Sequence, residues 1–292
     1  METDLLVIAR LRAAGCVFAE EEAAILAASA DTPARLDAMV ARRVGGEPLE
    51  QVVGWAEFAG LRVLVDPGVF VPRRRSEYLV EVAVRLAGRR GGAVPRVIVD
   101  LCCGTGALGL AVAVELDTGE LDTGELAAGE LAAGDADGRA SADIRLSGVE
   151  LHAADLDPAA VACARRNVTP PGGHVYAGDL FSALPDSLRG RIGVLICNAP
   201  YVPTSEIAFM PGEARVHEAL TALDGGADGL AVLRRVAADA PAWLAPGGVL
   251  LVETSERQAA SMAAAVDAAG LAARVHTDDE WGATVVTGAW KA

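Results

Sequence analysis

From residue 5 to residue 45, apolar side chains return every three to four positions. The first set is Leu5, Ile8, Ala9 and Leu11, the second Ala23, Ile25, Leu26 and Ala27, and the third Leu36, Met39, Val40 and Val44. That period predicts a small bundle of short helices. Asp31-Thr32-Pro33 divides the second from the third, with Asp31 or Thr32 placed to cap and Pro33 suited to a first helical turn. Gly45-Gly46-Glu47-Pro48 ends the third helix. The period then changes. Val52-Val53, Trp55 and Phe58, then Leu61, Val63 and Val65 after Gly60, predict a β-hairpin within residues 51–71. Val69-Phe70-Val71-Pro72-Arg73-Arg74-Arg75-Ser76-Glu77 leads into a linker helix, where the arginines can meet a carboxylate or an acidic partner face.

From Arg96 onward the pattern alternates strand and helix. Val97-Ile98-Val99-Asp100 is a short buried strand that runs into Leu101-Cys102-Cys103-Gly104-Thr105-Gly106-Ala107 and a helix from Leu108 to Leu116. Ser147 to Asp155 is a second strand, and Leu156-Asp157-Pro158 opens the helix after it. His174 to Asp179 is a third strand and the apolar run Ile192 to Cys197 a fourth. Pro246-Gly247-Gly248 begins a fifth strand, Val249 to Glu253, and a helix near Arg257 to Ala269 follows it. A terminal hairpin around His276 and Ala283 to Trp290 closes the chain. Such alternation predicts a mostly parallel, doubly wound α/β sheet. One segment departs from it. Leu116-Asp117-Thr118-Gly119-Glu120 recurs with variation to Asp135, a five-residue acidic repeat that matches neither helix nor strand period. A glycine in each unit weakens any helix, so residues 116–145 are expected to be a mobile insertion. A calcium site there is disfavoured, because the acids lack the dense spacing of a calcium loop. The expected organisation is a helical docking unit over 1–48, a hairpin and linker helix over 49–85, and a cofactor-binding unit over 86–292.

The polar residues that end these strands carry the candidate chemistry. Gly104 and Gly106 open a loop between strand and helix, where helix N–H groups point at a ligand. Asp155, at the next strand end, can accept both hydroxyls of a ribose. Asp179-Leu180-Phe181 follows the third strand and is expected to face an adenine. Asn198-Ala199-Pro200-Tyr201 follows the fourth, and Pro200 forces the chain out of the sheet there. The Asn198 side-chain oxygen and the Ala199 carbonyl can each accept one hydrogen of a planar NH2 group, with Tyr201 offering a flat face beside it. Each feature alone has a plain reading as a cap or a turn. At successive strand ends they make one ligand crevice. A nicotinamide cofactor is the competing ligand for such a loop, and it is disfavoured because no residue pair suited to hydride transfer is evident.

Composition narrows the partners. The chain of 292 residues has a net charge of −15 and a pI near 4.7, which opposes passive binding to nucleic acid or to an anionic membrane. Its five cysteines include no Cys-x-x-Cys pair, which favours a reducing cytoplasm over a disulfide framework, and no metal-ligand set is expected. No basic-then-apolar leader and no apolar run long enough for a membrane span are expected.

Asn198-Ala199-Pro200-Tyr201 resembles the Asn-Pro-Pro-Tyr signature of S-adenosylmethionine-dependent methyltransferases acting on amide or exocyclic amine nitrogens. With Gly46-Glu47-Pro48, Phe70-Val71-Pro72-Arg73, Asp100 to Ala107, Asp155, Asp179-Leu180-Phe181 and Ala222 to Leu230, nearly the whole chain outside the repeat resembles the HemK/PrmC-type protein-glutamine methyltransferases. The resemblance implies a class I S-adenosylmethionine-dependent methyltransferase fold with a terminal antiparallel hairpin and a small N-terminal helical domain. It implies S-adenosyl-L-methionine as cofactor, bound by Asp100, Cys102, Cys103, Gly104, Thr105, Gly106, Asp155, Asp179, Leu180 and Asn198. Asn198, Ala199, Pro200 and Tyr201 would hold the glutamine amide of a peptide-chain release factor, and a cytoplasmic monomer is favoured. The chain departs from the family at Ala199, at Cys102-Cys103, where the family has Gly and a small polar residue, and at Arg74-Arg75-Ser76-Glu77, where it has Pro-Glu-Thr-Glu. Methylation of an adenine or of a small-molecule amide or amine, and a non-catalytic cofactor-binding role, remain the alternatives.

Overall fold

The first helical pattern becomes α1 (Glu2–Ala13), α2 (Ala19–Ser29) and α3 (Pro33–Val44). They belong to a computed structural model that describes residues 2–88, 95–118, 139–140 and 143–290. The Thr32 hydroxyl accepts the Arg35 N–H at 3.2 Å, and Pro33 fills the first turn of α3. A fourth helix, α4 (Leu49–Val53), starts after Pro48. Val52 and Val53 therefore sit in a helix and not in the hairpin. Val52 packs with Val7, Leu11, Leu26 and Val40, and this burial overrides the strand preference of adjacent valines. The hairpin is shorter, β1 (Trp55–Phe58) against β2 (Leu61–Leu64). Its connection, Ala59-Gly60, has both φ angles positive, the turn that matches strand twist. A 3₁₀ turn at Arg74–Ser76 leads into α5 (Glu77–Gly88).

The remaining helices are α6 (Ala107–Thr118), α7 (Pro158–Val168), α8 (Gly212–His217), α9 (Ala231–Trp243) and α10 (Glu256–Ala268). The remaining strands are β3 (Val97–Leu101), β4 (Arg139–Ala140), β5 (Glu150–Asp155), β6 (His174–Ala177), β7 (Ile192–Cys197), β8 (Leu244–Glu253), β9 (Leu271–Asp278) and β10 (Ala283–Trp290). β4 pairs with β2. The other seven form one sheet in the order β6-β5-β3-β7-β8-β10-β9, parallel except for β10, which runs against both neighbours. This is the expected doubly wound sheet with a terminal antiparallel hairpin. Alternate residues face opposite layers. Ile98, Val194, Ile196 and Leu251 pack with α5 and α6, whereas Val99, Leu195, Cys197, Leu250 and Val252 pack with α9 and α10. Both faces are covered, which is why these strands read as unbroken apolar runs. Strand order reverses at β3, so the crevice opens beyond the carboxyl ends of β3 and β7.

The insertion expected over 116–145 is narrower. Leu116 to Thr118 are the last turn of α6, and Leu116 packs on the core. The Asp117 carboxylate accepts the N–H groups of Ser147 and Gly148, and Ile144 is buried. The repeats from Gly119 to Gly138 lie outside the described residues.

Candidate active site

The glycine loop leaves β3 through Cys102, whose φ of +55° is the left-handed conformation that costs a residue with a Cβ. Gly104 shares that φ, and a Cβ built there would meet nothing within 4 Å, so its backbone faces open space. Gly106 serves a different purpose. A Cβ there would lie 2.5 Å from Val168 Cγ2, so the missing side chain lets α6 pack on α7. Asp155 braces the loop: Oδ2 accepts the Gly104 N–H and Oδ1 the Asp157 N–H, both at 2.9 Å. Burial raises its pKa, and those two N–H groups oppose the rise. Asp100 lies beneath the loop, fully buried, and accepts the Gly109 N–H at 2.9 Å. Burial pushes it up to about 7. Asn167, not singled out in the sequence, ties this floor to the hairpin. Its amide donates to Thr105 O at 3.0 Å and Leu64 O at 2.9 Å and accepts the Leu64 N–H.

Asn198 follows the last residue of β7. Its Nδ2 donates to Glu253 Oε2 at 3.2 Å and Ser76 Oγ at 3.3 Å. No described residue bonds Oδ1, which stays accessible on the cavity side. The Tyr201 hydroxyl donates to Glu253 Oε1 at 3.0 Å and accepts from Arg75 Nη2 at 2.6 Å. Burial, then Glu253, pushes this phenol upward, so it stays protonated at neutral pH. Behind the tetrapeptide lies Asp224-Gly225-Gly226. A Cβ on Gly225 would meet Pro200 O at 2.6 Å, and one on Gly229 would meet Tyr201 O at 2.2 Å. The glycines of that turn thus allow it to clamp the Pro200-Tyr201 backbone, and Gln258 Nε2 adds a bond to Tyr201 O at 2.9 Å.

A cavity of about 480 Å³ joins these parts. Cys102 to Thr105, Asp155, Asp179 and Leu180 line it together with Asn198 to Tyr201, Phe70, Met210 and Leu223. Asp100 and Gly106 are not in its wall. Phe181 also turns away, stacking on Trp243 with ring centroids 5.3 Å apart. Asp179 is bound to Arg235 at 2.6 Å on the cavity rim. Of the arginine run, Arg73 pairs with buried Glu218 at 2.6 Å and Arg75 with buried Glu253 at 3.2 Å. The carboxylates they meet are therefore the protein's own. The open Gly104 backbone and the Asp155 carboxylate fit a nucleoside, and the Asn198 oxygen fits an amide or amine.

The chain is 35% identical over 229 residues to the release factor glutamine methyltransferase of Streptomyces coelicolor, covering 78% of this chain and 70% of that protein. The chain belongs to the release factor glutamine methyltransferase family. It is also 34% identical over 241 residues to the 4-amino-L-phenylalanine/4-methylamino-L-phenylalanine methyltransferase of Streptomyces pristinaespiralis, covering 82% of this chain and 71% of that one. Among solved structures it is similar to the T. thermophilus 16S rRNA N2 G1207 methyltransferase bound to AdoMet and guanosine, with 20% identity and a TM-score of 0.49 over 81% of this chain and 50% of that chain. No family model matches the chain. As in its family, the cofactor is S-adenosyl-L-methionine, and the sheet order is that of class I methyltransferases.

Proposed function

We propose that this protein methylates the side-chain amide nitrogen of a glutamine in the Gly-Gly-Gln loop of a peptide-chain release factor. The carrying observation is the direction of the Asn198 amide: its nitrogen is bound behind the wall, and its oxygen is left for the cavity. With the Ala199 carbonyl it gives two acceptors for one NH2 group. When bound, S-adenosyl-L-methionine supplies an already activated methyl group. The chain's work is therefore alignment and charge placement. Asp155 and the open Gly104 backbone would hold the nucleoside end. Asn198 and Ala199 would fix the NH2 plane and so set the direction in which a weakly nucleophilic nitrogen presents its lone pair. Tyr201 bounds the acceptor as a protonated, flat wall.

The N-terminal helices serve as the docking unit for the protein substrate. Arg43 of α3 pairs with Glu22 of α2 at 2.7 Å and joins these helices to α8 through Glu213 at 3.5 Å. A cytoplasmic location is part of this reading. No helix among the described residues is long and apolar enough to cross a membrane. A second reading, the amine of a small aromatic amino acid, draws support from Arg75. It lines the cavity with its side chain 48% exposed, and beyond its bonds to Glu253 and Tyr201 it adds positive charge there that suits a substrate carboxylate. The test is transfer from labelled cofactor to a release factor by wild type and Asn198→Ala. Label should enter the release factor. The variant should fold, bind cofactor and lose roughly a hundred- to a thousandfold in rate. Label on 4-aminophenylalanine alone would support the second reading, and an unimpaired variant would overturn the site.

A further inference from the structure

Glu253 ends β8 with a side chain only 3% exposed. Its Oε2 accepts Asn198 Nδ2, while Oε1 accepts the Tyr201 hydroxyl at 3.0 Å and Arg75 Nε at 3.2 Å. The direction of each bond is set by chemistry. A carboxylate only accepts and a guanidinium only donates, so Asn198 must turn its NH2 toward Glu253. An asparagine amide without such a partner has two orientations of similar shape. The flipped one would point two N–H groups at the substrate NH2, donor against donor. Donation to an anion also polarises the amide and strengthens its oxygen as an acceptor. We infer that Glu253 is a positioning residue, whose buried carboxylate, held by Arg75, orients Asn198 so that its oxygen faces the nitrogen to be methylated. This inference rests on the reading of Asn198 above and deepens it. Arg75 stands where the resembling family has a glutamate, so this chain provides the countercharge from its own departure.

The inference predicts a reversible polarity. In Asn198→Asp, two carboxylates would face each other about 3.2 Å apart and share one proton, so transfer should fall steeply and recover in part at lower pH. The charged and titratable groups facing Glu253 are Arg75, Tyr201 and, across an adjoining cleft, Glu256, Asp278 and Asp279. All are common to the variants compared. In Glu253→Gln, the new side chain keeps its oxygen for Arg75 and Tyr201 and turns its NH2 toward Asn198, which flips. kcat should fall about tenfold or more with cofactor affinity unchanged. The double variant Asn198→Asp/Glu253→Gln restores a donor behind an acceptor. It should transfer about tenfold faster than Asn198→Asp and lose that variant's pH dependence. A merely structural role would make the two losses multiply instead. Unfolding midpoints of the four proteins at mildly alkaline pH form a cycle that needs no turnover, and Glu253→Gln should recover the stability lost in Asn198→Asp. Absence of this coupling overturns the inference, as does recovered stability without recovered turnover in an active enzyme. If wild type methylates no acceptor, the proposed activity fails, and the stability cycle still decides whether Glu253 orients residue 198.

Discussion

Replacing Asp100 by Asn removes a carboxyl group that the fold buries completely under the cofactor loop. Its Oδ2 accepts the Gly109 N–H, while Oδ1 has no partner among the described residues. Burial lifts its pKa from 3.8 to about 7; the Gly109 N–H pulls the other way, and the nearby Asp155 charge adds to the lift. Between those values the native state holds a proton that the unfolded chain has released. The native state then binds more protons, so stability falls as pH rises. The whole window is worth on the order of 4 kcal/mol, and the part between about pH 5 and pH 7 about 2 kcal/mol. Asparagine cannot ionise and keeps an acceptor for Gly109. Asp100→Asn should therefore gain about 2 kcal/mol on wild type across that interval. Urea unfolding of both proteins through the range measures the difference. The other carboxyls raised by burial, such as Asp155 and Glu218, are present in both proteins. A stability difference that stays constant with pH would refute the reasoning.

Asp155→Ala should lose most cofactor affinity by calorimetry. It removes charge-assisted bonds worth roughly 1.5–3 kcal/mol each and frees the Gly104 and Asp157 N–H groups. Unchanged affinity would remove Asp155 from the binding site. Cys102→Gly should raise the unfolding free energy by about 1 kcal/mol, because it relieves a left-handed φ of +55° and restores the family residue. A lower melting temperature would contradict this. Deleting residues 119–138 should leave melting and turnover nearly intact, since the five-residue acidic repeats there match neither helix nor strand period. Extending the cut through Asp117 should cost about 1–2 kcal/mol more, because the Ser147 and Gly148 N–H groups lose their acceptor.

The strand ends at Asp155 and Asn198 are legible because an apolar run that meets an acid or amide and then a proline has few other outcomes. The loop and the Asn198 tetrapeptide therefore fall where the pattern predicts, at one crevice. What eludes the sequence is contact across distance. Val52-Val53 reads as strand by local preference, and only its packing on Leu11 and Leu26 makes it helix. Gly106 looks like a ligand-facing glycine until Val168 is found against it. Phe181 follows the expected acid, yet Trp243 draws it into the core. Glu253 reads as the end of another apolar strand, and nothing local announces that it meets Asn198, Tyr201 and Arg75. The turn at Asp224-Gly225-Gly226 is visible as a turn. Its reason, the Pro200 carbonyl lying where a side chain would go, is not.

The central claim is the identity of the methylated atom. Peptide mapping by mass spectrometry, after a release factor is incubated with the protein and S-adenosyl-L-methionine, tests it most directly. The account predicts one added methyl group on the glutamine of the Gly-Gly-Gln loop, present with wild type and nearly absent with Asn198→Ala. A methyl group on any other residue, or an unmodified release factor beside a methylated small amine, would contradict it.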